Sequence, residues 1–192
     1  MGGDLTPAVL MRPSAACSPA QPKGRTTMAH QLRSEDPGFL ERAPVRRTRS
    51  RDIRASADAI FDQLAAHPEN WPRWFGPANE CRYEGTPPYG VGTVRYLRLC
   101  KVIRAHEKLL VWDSPGRFVY QVHDTNARGV AAMMEQWTLT PSADGRTRVS
   151  WTIAVDCSAP VHLLLRATQR RLDKIFQEGM KRLEHLCSHP DR

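Results

Sequence analysis

The sequence predicts an α+β domain: a curved antiparallel sheet of about seven strands wrapped around a long C-terminal helix, with two short helices after the first strand. Three observations predict it. From Pro160 to Cys187, Val161, Leu164, Leu165, Thr168, Leu172, Ile175, Phe176, Gly179, Leu183 and Leu186 recur at three- and four-residue spacing. They form one stripe of an amphipathic helix about 40 Å long. Ahead of it, turn signals arrive every ten residues or so between segments of alternating polarity. A helix with one apolar face needs a broad apolar partner, and a meander of strands supplies one.

Taken in order, residues 1–43 hold Pro7, Pro13, Pro19, Pro22 and Pro37 among small polar residues with no period, which predicts a disordered tail. Met1 and Met28 are alternative translation starts. The domain is expected over 44–187, with a short tail at 188–192. VRRTRSRDI from Val45 alternates as a strand, and Ser56, Ala57 and Asp58 then cap a short helix carrying Ile60, Phe61 and Leu64. HPENWPRWFG reads as an angular connector, where Pro68 opens a second helical turn and Trp71 and Trp74 anchor the core.

The remaining strands follow as hairpins. NECRYEGT and GVGTVRYLRLC flank the turn Pro87–Gly90. KVIRAHEKLLVW closes at Asp113–Gly116, and RFVYQVHDT at Asn126–Gly129. AAMMEQWTLT and TRVSWTIAVD are joined through Asp144-Gly145, a good hairpin signal. Pro160 suits the first turn of the last helix, where a missing N–H costs nothing.

The formal charge of +8 over 192 residues raises nucleic-acid and anionic-membrane readings, focused on Arg42, Arg46, Arg47, Arg49, Arg51 and Arg54 against Asp52. No aromatic residues interleave that run, which argues against nucleic acid. The five cysteines are scattered without a close pair, so they form no zinc half-site and fit a reducing cytosol. No window reaches the length of a membrane span and no signal peptide is recognisable, so a soluble, cytoplasmic protein is expected.

Strand alternation nominates inward side chains. In the last strand Val149, Trp151, Ile153 and Val155 share the apolar face, and in the strand before it Met133, Glu135, Trp137 and Leu139 do. Phe118, Tyr120 and Val122 share the central strand's face, with Trp112 on the strand before, while His106 and His123 fall at the opposite phase and are expected to be exposed. Arg95 shares a face with Leu97 and Leu99. From the helix, Leu172, Phe176 and Gly179 complete the expected lining. Gly179 fits either close packing of the helix or a thinned wall.

Glu135 stands out, because a carboxylate among Met and Trp side chains must be paired, hydrated or neutral. It reads either as a mouth residue or structural ion pair, with arginines as partners, or as a ligand-contacting acid with a raised pKa. Arg47, Arg49 and Arg51 share a phase with Ile53; a bulge or early strand end would leave them solvated, whereas an unbroken strand would turn them inward toward a carboxylate or phosphate.

Four segments carry a family resemblance. They are IRASADAIFDQLA, NWPRWFG, YGVGTVRYLRL with HEKLLVWDSPGRFVYQV, and WTLTPSADGRTRVSWTI followed by a long terminal helix. Together they resemble the SRPBCC or START-like superfamily, of the polyketide cyclase/dehydrase and lipid-transport type, over Val45 to Leu186. The resemblance implies a helix-grip fold with a pocket between sheet and helix for a small hydrophobic or amphipathic ligand, and transient contact with a membrane. It implies no cofactor or metal. Its family pattern places an apolar residue where Arg51 stands, a departure that puts an all-apolar pocket in doubt. A cyclase/aromatase or dehydratase using Glu135, Tyr120 and an inner arginine is the enzymatic alternative; no Gly-x-Ser-x-Gly, phosphate loop or metal cluster names a reaction.

Overall fold

The computed structural model describes residues 29–188. The expectations for residues 1–28, including the alternative starts, and for 189–192 lie outside that range. The chain forms β1 (His30–Gln31), α1 (Phe39–Arg42), β2 (Val45–Ile53), α2 (Ala57–Phe61), α3 (Trp71–Trp74), β3 (Ala78–Tyr83) and β4 (Val94–Leu99). It continues through β5 (Ile103–Asp113), β6 (Arg117–Thr125), β7 (Val130–Pro141), β8 (Thr147–Cys157), α4 (Ala159–Ala167) and α5 (Gln169–Ser188). The sheet order β2-β8-β7-β6-β5-β4-β3 is an antiparallel meander to which the first long strand returns beside the last, and β1 pairs with β6.

The sequence explains most of these elements locally. Ser56 caps α2 by accepting from the Ala59 N–H at 3.2 Å. Pro160 lies in the first turn of α4. The expected single helix is two, however. Thr168 leaves helical geometry at φ −95° and ψ 5°, and its hydroxyl donates to the Leu164 carbonyl at 2.8 Å beside its own N–H at 3.0 Å, a back-bond of the kind that bends helices.

The expected tail also ends earlier than residue 43. The Leu32 N–H donates to His123 O at 2.9 Å and the Arg33 N–H to Ala131 O at 2.8 Å, so this segment bridges β6 and β7. Phe39 and Leu40 are buried on the sheet's outer face against Val119, Ala132, Met134 and Ala154. Burying two such side chains contributes roughly 1.5–3 kcal/mol each, which offsets the cost of ordering a segment that has no period of its own.

Aromatic residues dominate the inner core. Trp71 and Trp74 are fully buried anchors, and the Trp71 indole donates to Leu64 O at 3.0 Å. Trp137 stacks on Trp151 with centroids 5.2 Å apart, and Trp151 stacks on Phe176 at 5.9 Å. Phe176, Met180, Leu183 and Leu186 pack the C-terminal part of α5 into this cluster. Gly179 lies in that solid part: a Cβ there would stand 3.5 Å from Trp74 O and 3.7 Å from Phe75 Cδ2. Close packing is therefore the observed role, against the tryptophan connector and its flank.

The arginine run does not make one cationic face. Arg42 pairs with Glu35 at 2.7 Å and Asp36 at 2.8 Å, and Arg46 donates to Leu40 O at 2.8 Å. Arg47, Arg49 and Arg51 turn the other way, toward α5. His123 is exposed as expected; His106 is half-buried, with Nδ1 2.7 Å from Asp124 Oδ1.

Candidate functional site

The helix stripe meets the sheet in two ways. From Phe176 onward it packs solidly; from Val161 to Ile175 it stands off and leaves a cavity of about 370 Å³. The surface it presents is mostly apolar, although Arg47, Arg49, Glu135, Arg166 and Gln169 are among its lining residues. Among the sequence's candidates, Leu97, Tyr120, Met133, Glu135, Trp151, Ile153 and Leu172 line it. Trp112, Phe118, Trp137, Phe176 and Gly179 do not: they belong to the aromatic core that fills the other half of the same face. Val122 packs against Leu32 and Ala105 instead, because the chain at Leu32 fills the space beside it.

Arg95 does not reach the cavity either. It is completely buried, with Nε 2.8 Å and Nη2 2.7 Å from Glu107 Oε2. Its guanidinium lies 4.3 Å from the ring centroids of both Trp71 and Tyr120, a cation–π sandwich. Burial, the largest influence, would lower the Arg95 pKa, but the Glu107 carboxylate together with the neighbouring Cys81, Tyr120 and Tyr83 holds the group well above its ordinary value. Glu107 was not among the sequence's candidates, although it shares a phase with Leu109 in HEKLLVW, and alternation could have found it.

Glu135 is placed by pairing: it stands opposite Tyr120 on β6 and Ile153 on β8. Its Oε2 accepts from the Tyr120 hydroxyl at 2.7 Å and from the Trp151 indole N–H at 2.9 Å, while Trp137 Nε1 donates to the Tyr120 oxygen at 3.1 Å. The partners are thus a phenol and an indole, and the arginine expected beside it is committed to Glu107. No donor from the described residues reaches Oε1, and the residue lines the cavity. Burial pushes its pKa up to about 7, helped by the nearby Glu107 charge and opposed by the two hydrogen bonds. Near neutrality such a group either donates to or accepts from a ligand oxygen.

The pairing of β2 decides between the two readings of its arginines. β2 pairs with β8 in unbroken register, Arg47 opposite Ile153, Arg49 opposite Trp151 and Arg51 opposite Val149. With no bulge, all three lie on the side of the sheet that α5 covers, where Arg49 is buried, Arg51 half-buried and Arg47 exposed. Arg49 is 9% exposed, Nε bonds Asp173 at 2.6 Å, and both Arg47 and Arg49 line the cavity. Arg51 donates to Gln177 at 3.0 Å.

The mouth has a different character. α4 has no buried residue, and it lines the cavity with Val161, Leu165 and Arg166 while exposing Leu163 and Leu164. The turn after β4 contributes Cys100 to the lining and exposes Val102, and the start of β5 contributes Ile103. Cys81, Cys100, Cys157 and Cys187 are free thiols.

A sheet wrapped around a terminal helix with a hollow between them has known relatives. The family described as polyketide cyclase / dehydrase and lipid transport matches residues 44–187. The chain belongs to this family. Like solved proteins of the START-type fold, this family member has the helix-grip architecture. A Thermus thermophilus protein of known structure superposes with a TM-score of 0.61 at 17% identity, covering 77% of this chain and all (100%) of that one. A START superfamily protein from Mycobacterium smegmatis gives 0.56 at 13% identity over 72% of this chain and 98% of that one. A major latex-like protein of ginseng, Panax ginseng, gives 0.58 at 12% identity, with 73% and 95% covered. These likenesses establish the fold alone. An uncharacterized protein of Mycobacterium tuberculosis is 26% identical over 122 residues, 64% of this chain and 72% of its own length. Among the described residues no helix is long and apolar enough to cross a membrane.

Proposed function

We propose that this family member binds a small hydrophobic or amphipathic molecule, lipid- or polyketide-like, in the cavity between the sheet and the α4–α5 helices. The observation that carries the reading is the cavity itself: about 370 Å³ of apolar space beside a densely packed aromatic core. Protein interiors rarely keep such voids without an occupant. Leu172→Trp is expected to fill the space, raise the melting temperature and abolish the thermal shift given by a panel of lipid- and polyketide-like amphiphiles. A variant that still responds to the panel as the wild type does would show that the ligand binds elsewhere.

An enzyme using the same cavity is the second reading, a cyclase/aromatase or dehydratase. It is supported by the unpartnered Oε1 of Glu135 in an apolar cavity and by a pKa of about 7, poised for proton transfer at neutral pH.

Contact with a membrane has its own support. Of the five large hydrophobics exposed among the described residues, Val102, Ile103, Leu163 and Leu164 lie on the two elements flanking the mouth. Leu163→Ser with Leu164→Ser is expected to weaken co-sedimentation with phosphatidylglycerol vesicles severalfold without altering the fold. Equal sedimentation of variant and wild type would remove the mouth as the contact.

A further inference from the structure

Charge is distributed unevenly around the cavity. Three of its lining residues are arginines, Arg47, Arg49 and Arg166, and Glu135 is the single acid. The arginines gather at one end, where β2 passes under the bend between α4 and α5. Gln169, with its amide oxygen assigned toward Arg47, accepts from Nε at 2.9 Å and Nη2 at 3.1 Å. Asp173 accepts from Arg49 Nε at 2.6 Å but is itself more than half exposed. Arg49 Nη1 is buried and has no hydrogen-bond partner among the described residues, a state that costs free energy. Three cations against Asp173 leave this end net positive, although its neighbours on the sheet are Trp151 and Ile153.

The geometry points to an anion subsite: Arg47, Arg49 and Arg166 hold the carboxylate or phosphate of an amphipathic ligand whose apolar body runs along the sheet toward Glu135. This rests on the cavity reading above and adds the ligand's chemical class. Guanidinium groups suit both anions through paired N–H donors. The register also sets a length. Arg47, Ile153 and Glu135 lie in one cross-strand row, so Arg47 and Glu135 are two strand spacings, about 10 Å, apart at the backbone. A ligand held by its anionic end at β2 therefore places the atoms that follow its first several carbons beside Glu135, where a hydroxyl or carbonyl would be recognised.

Titration calorimetry with dodecanoate, dodecyl phosphate and dodecanol tests this. The wild type is expected to bind the preferred anion on the order of tenfold more tightly than the alcohol, and the better of the two anions identifies the head group. Arg49→Gln, and separately Arg47→Gln with Arg166→Gln at the more exposed positions, are expected to erase that preference by lowering anion affinity far more than dodecanol affinity. Asp173→Asn should strengthen anion binding by freeing Arg49. Equal binding of anions and alcohol by the wild type, or a preference that survives in folded arginine variants, overturns the subsite and leaves the cavity reading intact. Binding of none of the three overturns both.

Discussion

Glu107→Leu is expected to lower the melting temperature by roughly 10 °C, the largest single effect among these predictions. Glu107 is 2% exposed and Arg95 is completely buried, so the substitution leaves a guanidinium charge with aromatic faces but no counter-ion. Breaking a buried pair from one side costs about 3–5 kcal/mol, and in a chain of this size each kcal/mol moves the midpoint by roughly 2–4 °C. The pair as a whole is worth much less than that loss, because desolvating both charges offsets their attraction. Arg95→Met combined with Glu107→Leu should therefore recover most of the stability. Thermal denaturation of the two variants beside the wild type checks this, and Glu107→Leu alone melting within 2 °C of wild type would refute the description of the pair as closed and dry.

The second large effect depends on pH. The folded Glu135 carboxyl titrates near 7, and an unfolded one near 4.5. Between those values the folded state keeps a proton that the unfolded chain has released, so stability falls as pH rises through the window and levels off above it. The accumulated loss is about 3 kcal/mol. Glu135→Gln keeps an acceptor for Tyr120 and Trp151 and removes the titration. Its melting temperature should match or fall slightly below wild type at pH 5 and exceed it at pH 8. Parallel curves of melting temperature against pH for the two proteins would show that the carboxyl titrates normally. Under the enzymatic reading the same variant loses turnover at a pH where its stability is not reduced; retained turnover would exclude Glu135 as the acid or base.

The inner face of β7 and β8 was legible from alternation because their pairing is regular from Ala132 to Pro141, so Met133, Glu135, Trp151 and Ile153 fall where the pattern puts them. Phase alone could not separate hollow from solid. Trp137 and Phe118 have the same phase as the lining residues, yet they sit where α2 and α3 deliver Phe61, Trp71 and Trp74, and that delivery is a tertiary event with no local signature. The β2 arginines show the reverse case: their phase was plain, but their direction depended on an unbroken register that only the pairing with β8 reveals. The segment from His30 to Arg42 carries two buried apolar residues on a short helix, too few for a period to be visible. The helix break at Thr168 occurs without proline or glycine, at a threonine whose hydroxyl back-bonds the Leu164 carbonyl.

Native mass spectrometry of the purified protein, incubated with lipid- and polyketide-like amphiphiles, tests the cavity most directly. The expected result is a saturable adduct of one ligand per chain that disappears in Leu172→Trp. A spectrum showing only the mass of the polypeptide across the whole panel would contradict a ligand-binding cavity in this protein.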